Sequence, residues 1–330
     1  MATPLLYVSF HGGSKSKYWN NIHVFTLEGE EATPSKALNK SSLPDHVDLQ
    51  ELRDFIFGPD GNLYVVNAYK KYSQILRFKG EPNGEGQFDF DEVFTGYDEQ
   101  SNPAFVHPFQ MAFDQNDNLL ASCQDSNTVV AVYGPGATAG DPGAPMPVAS
   151  AYSTNCSDCP VGTFVPSSSF YSGSGALNMV RGITFDTDGN LLVADENNNS
   201  VALYDGTTGA YIKNIVDVSN FPALDEPVHV LAHKNILYVG NKNGNNILSI
   251  DLSKDNAPVN VFIANKTGAI TSPSGMCFYE TNNAIKFLLG DRDGKKIIQY
   301  SVTGNTATFD KLLLSDLDDS PEFLRIFSLG

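Results

Sequence analysis

Apolar and polar positions alternate along this chain in short blocks. Residues 182–205 read GITFDTDGNLLVADENNNSVALYD: an apolar run, a polar turn, a second apolar run, a second turn and a third, alternating run. Runs of this kind, bounded by Asp, Asn and Gly, predict strands joined by tight turns, because strand side chains have a period of two and these turn residues accept positive φ.

The same grammar recurs at 52–80 (LRDFIFGPDGNLYVVNAYKKYSQILRFKG), 107–134 (HPFQMAFDQNDNLLASCQDSNTVVAVYG), 226–252 and 272–302. Asp60-Gly61, Asp188-Gly189 and Asn282-Asn283 supply the hairpin turns. The second runs, LYVV, LLVA, LYVG and FLLG, are apolar nearly throughout, which predicts strands covered on both faces, as in stacked sheets. After each third run a more variable stretch leaves room for a fourth, outer strand, for instance AYIKNIV (210–216) and PVNVFIA (258–264).

A sixth unit is split between the two ends of the chain. PEFLRIFSLG (321–330) reads as a first strand with nothing after it; LLYVSF (5–10) and NIHVFTLEG (21–29) read as second and third strands with no first. Joined in space they complete one unit and leave no open sheet edge. The expected fold is all-β: a six-bladed β-propeller, one domain over 1–330, closed by pairing of N- and C-terminal strands in one blade. Its blade units are 1–45 with 317–330, 46–100, 101–178, 179–222, 223–268 and 269–316. One spacer is longer than the rest. Within it PMPVASAY (145–152) is expected to serve as the outer strand, and 153–178 as a lid-like insertion on the site face.

The units 182–205 and 107–133 resemble NHL repeats, whose pattern places an apolar strand before D-G-N and a V-A-D strand after it. The resemblance runs over essentially the whole chain, most clearly in 182–205. The Arg that usually precedes the third strand is missing; Ser200, Gln74, Thr128, Asn246 and Lys296 stand there or nearby. The resemblance implies the fold more than a function, since similar rings serve as lactonases, strictosidine-synthase-like enzymes, amidating lyases and binding modules.

Composition narrows the function. A formal net charge of −17 leaves no basic stripe for nucleic acid and disfavours an anionic membrane surface. No run reaches the roughly 20 apolar residues of a membrane span. A soluble protein is expected, cytoplasmic if the sequence is complete and secreted if a signal peptide was trimmed from it, and a monomer or weak homo-oligomer. Cys156 and Cys159 form one CxxC, half of a zinc set at most, so either free thiols or a loop-closing disulfide fits them.

Propeller geometry puts the approaches to the first strands and the turns between second and third strands on one face. That gathers Arg53, Asp54, His107, Gln110, Arg181, His229 and Glu322 with His11, Asp125 and Arg292. Catalytic candidates are His107, His229, Arg181, Asp54 and Arg53: imidazoles for proton transfer, arginines for a carboxylate or phosphate. Asn67, Asp195, Asn241 and Asp291 each end a second strand. As oxygen donors they could hold a divalent cation, Ca²⁺ in preference to Zn²⁺; equally, each could begin its turn by bonding backbone amides. His11, Trp19, Tyr69, Tyr72, Gln110 and Phe164 are candidates for contact with a small-molecule ligand. No organic cofactor is evident. The expected function is a metal-assisted or acid–base hydrolase or lyase, lactonase-like, with its site at the channel mouth. The alternative is a non-catalytic propeller recognising a peptide, glycan or protein.

Overall fold

The turn residues do what their chemistry permits. Gly61 and Gly189 sit at φ of +78° and +82°, closing hairpins in which the Gly58 and Asp186 amides donate to the Asn62 and Asn190 carbonyls. In the computed structural model, which describes residues 3–12, 16–69, 73–281 and 284–328, these hairpins build six sheets. The Asn282-Asn283 turn lies outside the described residues. Among those described, the sole helical element is a short 3₁₀ turn at Lys40–Ser42.

Blade 1 is the split unit: Pro321–Phe327 pairs with Leu5–Phe10, followed by His23–Phe25 and Glu31–Lys36. The pairing runs from Leu5 opposite Phe327 to Phe10 opposite Pro321. Blade 2 is Leu52–Phe57, Leu63–Asn67, Gln74–Phe78 and Phe88–Gly96, with Leu38–Asn39 added in parallel at its outer edge. Blade 3 is Pro108–Phe113, Leu119–Cys123, Thr128–Val132 and Thr163–Val165. Blade 4 is Val180–Phe185, Leu191–Asp195, Ser200–Tyr204 and Tyr211–Asp217. Blade 5 is Pro227–His233, Ile236–Asn241, Asn246–Asp251 and Asn260–Ile263; blade 6 is Pro273–Glu280, Ile285–Asp291, Lys296–Thr303 and Thr306–Leu314. The first strands of neighbouring blades touch all the way round. The chain is a six-bladed β-propeller.

Apolar clusters fill the gaps between adjacent blades. Tyr64, Phe94, Met111 and Leu119 join blades 2 and 3; Leu6 and Val8 meet Cys277 and Leu288 between blades 1 and 6. This is why the second strands are apolar on both sides: each faces two neighbours.

The long spacer departs from expectation. The outer strand of blade 3 is Thr163–Val165, while 145–152 adds a single bridge, Pro145 opposite Val132. Pro145 and Pro147 have no N–H to give a ladder. On either side of Thr163–Val165 the insertion touches blade 4: Ala151 donates to the Thr208 carbonyl, Tyr152 Oη to Gly209 and Tyr204 Oη to Gly175. Cys156 and Cys159 are joined in a disulfide within it. The insertion therefore covers an outer seam, and not the channel mouth.

Candidate ligand site at the channel mouth

Every blade begins with the same irregularity. The residues opposite each other are Phe10 and Pro321, Asn67 and Leu52, Cys123 and Pro108, Asp195 and Val180, Asn241 and Pro227, Asp291 and Pro273, and the register slips beside each pair. A bulge re-aims the side chains beside it. Here the next residue of each first strand lines the mouth: Glu322, Arg53, Phe109, Arg181, Val228 and Ser274. The residue following each second strand forms an upper ring, His11, Gln124, Glu196, Lys242 and Arg292, with Ala68 in the blade 2 position. Together they enclose a cavity of about 140 Å³.

On one side of it lies Glu322, 1% exposed. Its carboxylate is 2.9 Å from Arg53 Nη1, 3.2 Å from Arg292 Nε and 3.0 Å from His11 Nδ1. Burial pushes this carboxyl up, but the charge of Arg53, the His11 hydrogen bond and Arg292 outweigh it and hold it well below the usual carboxylate range. Arg53 also reaches Glu51 at 2.6 Å, and its buried Nε has no hydrogen-bond partner.

Across the ring, Arg181 pairs with Glu196, and Lys242 lies 3.1 Å from Glu196 while also pairing with Glu226. Arg181 Nη1 donates to Gln124 Oε1 at 2.9 Å. The two groups are tied on one flank by His107, whose ring stands 3.3 Å from both Glu51 and Asp125 and 2.9 Å from the Gln124 amide. Glu51, His107 and Glu226 take φ of +53°, +56° and +55°, an uncommon conformation for such side chains, immediately before three of the first strands. A belt of alternating charge thus runs from Arg292 to Glu226. It is interrupted beside blade 6, where Ser272, Pro273 and Ser274 line the wall.

His229 sits just below, between the rings of Phe109 and Phe323 at 5.2 Å and 4.9 Å, with Glu322 3.9 Å away. Burial pulls it down to about 4, Glu322 opposing and Arg292 and Arg53 adding to the depression, so it is neutral at pH 7. Phe109 has the Arg53 and Arg181 guanidinium carbons 5.8 Å and 5.9 Å from its ring centre.

The other expected site residues lie elsewhere. Asp54 is fully buried beneath the mouth, 2.6 Å from Arg325 and accepting from the Phe55 and Met111 amides; burial raises its carboxyl against the Arg325 charge. Gln110 bridges blades, its Oε1 accepting the Ile183 amide at 3.1 Å beside Gly182, where a Cβ would lie 2.9 Å from that oxygen. Phe164 is a core residue of the blade 3 outer strand. Trp19 packs on Gly12, where a Cβ would stand 2.8 Å from the indole, next to the mouth and outside the cavity lining. Tyr69 is 41% exposed past the second strand of blade 2. Tyr72 lies outside the described residues.

The four oxygen-bearing strand ends do not fit a shared cation. Asn67 accepts from the Gln50 amide, Asp195 from Asn178 and Met179, Asn241 from Asp225, and Asp291 from Thr271 and Ser272. Each clips the incoming loop of its own blade with oxygens that a cation would need. Among the described residues no group of three or more His, Cys, Asp or Glu is arranged to hold a metal ion. Phe109, Gln124, Glu196 and Lys242 went unnoticed in the sequence. The signal that would have found the last three is positional: they directly follow the residue that ends a second strand.

No protein-family profile matches the chain, and no curated protein matches it in sequence. Solved propellers match along nearly its whole length. A Bacteroides uniformis chain provisionally named a 6-phosphogluconolactonase is 11% identical, covering 99% of this chain and 100% of that one, with a TM-score of 0.58. Virginiamycin B lyase from Staphylococcus aureus is 13% identical over 91% and 82%, with a TM-score of 0.51. A chain of a nidogen/laminin complex is 12% identical over 99% of each, with a TM-score of 0.58. At such identities the likeness is one of fold. No helix among the described residues is long and apolar enough to cross a membrane.

Proposed function

We propose that the channel mouth binds a small organic anion and acts on it by acid–base chemistry, as a hydrolase or lyase. One observation carries the reading: of the charged side chains lining one cavity, both carboxylates are sunk, while three of the four cations are more exposed, Arg53 alone being as buried at 5%. Glu322 and Glu196 side chains are 2% and 7% exposed, against 34% for Arg292, 31% for Lys242 and 19% for Arg181. In a chain of net charge −17, a lining of four cations against two carboxylates favours an anion at the mouth, even with Glu51 and Glu226 paired to Arg53 and Lys242 beside it. The fold's occurrence in a lyase, and in a chain provisionally named a lactonase, supports the enzymatic side.

His11 is the proton carrier in this reading. Its side chain is 40% exposed, its ring is oriented by Glu322, and it lines the cavity. In a hydrolysis, His11 takes the proton of the attacking water and returns it to the leaving oxygen. Arg181, Lys242 and Arg292 stabilise the oxygen that gains negative charge between those events. The test is turnover on a panel of small carboxylate-bearing lactones and esters. His11→Ala is expected to lower kcat by about 10²-fold or more with little change in folding. Tight binding of these anions without turnover by the wild type would refute the catalytic reading.

A further inference from the structure

The two charged groups at the mouth share a composition, one sunken carboxylate with two cations, and lie on opposite sides of it. In blade 1 the Glu322 carboxylate lies between Arg53 and Arg292; in blade 4 the Glu196 carboxylate lies between Arg181 and Lys242. Blades 1 and 4 stand opposite each other in a ring of six. All four cations line the cavity, and Arg181 Nη2 has the Met179 sulfur, a weak acceptor, at 3.3 Å. Between the two groups the lining includes Phe109 below Gln124 on one flank, and Val228, Pro273 and Ser274 on the other, with His229 beneath.

Resting on the anion-site reading above, we infer that the ligand is a small dicarboxylate with a short apolar middle, one carboxylate at each of the two groups. A single anionic centre would satisfy one side and leave the other to water. The cavity, about 140 Å³, sets the length. It matches the liquid volume of roughly five waters at about 30 Å³ each, so the ligand is small. Dicarboxylates of three to five carbons bracket that size.

Calorimetric titration of the full chain at low salt tests this with malonate, succinate, glutarate, monomethyl succinate, butyrate and inorganic phosphate. Succinate or glutarate is expected to bind roughly tenfold or more tighter than butyrate and monomethyl succinate. Arg181→Met and Arg292→Met are each expected to bring the dicarboxylate down to the wild-type butyrate level, since each removes one of the two ends. Butyrate binding as tightly as succinate, or phosphate as tightly as the best dicarboxylate, would overturn the two-ended ligand and leave the anion site standing. No binding of any of the six would overturn both. The wild-type series decides the matter even where a variant fails to fold.

Discussion

Replacing Glu322 with Gln removes one negative charge and almost no volume from a point where three donors meet. Arg53 Nη1 at 2.9 Å, Arg292 Nε at 3.2 Å and His11 Nδ1 at 3.0 Å would then face a neutral amide. Removing one partner of a buried ion pair costs about 3–5 kcal/mol, because the remaining charge stays desolvated. Two features reduce the cost here. Arg53 keeps Glu51 at 2.6 Å, and Arg292, 34% exposed, can turn toward water. We therefore expect a loss of about 2–4 kcal/mol at pH 7, read by urea denaturation. The pH dependence is the sharper check. The folded-state carboxyl is held below its unfolded value, so its contribution is complete above the unfolded pKa and declines as pH falls below about 4.3. The gap between wild type and variant should be flat from pH 5 to 8 and narrow at pH 3. A gap under about 0.5 kcal/mol, or one of equal size at both pH values, would refute the charge-centred account.

Other expectations follow from the same contacts. Asp291→Ala leaves the Thr271 and Ser272 amides without their acceptor, each at about 1–3 kcal/mol, so it should destabilise by roughly 2–6 kcal/mol equally with and without EDTA; a chelator-dependent melt would restore the cation reading. His229 and His23, both pulled down to about 4 by burial, should make the fold lose stability as pH drops from about 6.5 toward 4, by about 3 kcal/mol each at most. In His229→Phe that slope should shrink, and an unchanged slope would show that His229 does not titrate between those limits. Glu196→Gln should weaken anion binding by loosening Arg181 and Lys242 together, whereas tighter binding would mean the carboxylate only repels the ligand.

The repeat was legible because its turns carry their own chemistry. Asp-Gly-Asn fixes hairpins, and an apolar second strand announces neighbours on both faces. Even the split blade could be read, since 321–330 and 5–10 each lack what the other has. The outer strand of blade 3 could not. PMPVASAY alternates like a strand, yet its prolines spoil it, and Thr163–Val165 is too short to stand out. At the site, Arg53 and Arg181 were visible as equivalent positions. The Asp and Asn column drew attention because oxygen donors suggest a cation, although their nearest customers are backbone amides. One residue further along lay Glu196 and Lys242, whose roles depend on partners in other blades and leave no mark on local pattern.

His11 and Glu322 are 311 residues apart in the chain and 3.0 Å apart in the protein. The pair exists only once strand 321–327 has laddered onto strand 5–10, so the chemistry of the mouth depends on the one pairing of greatest sequence separation in the fold.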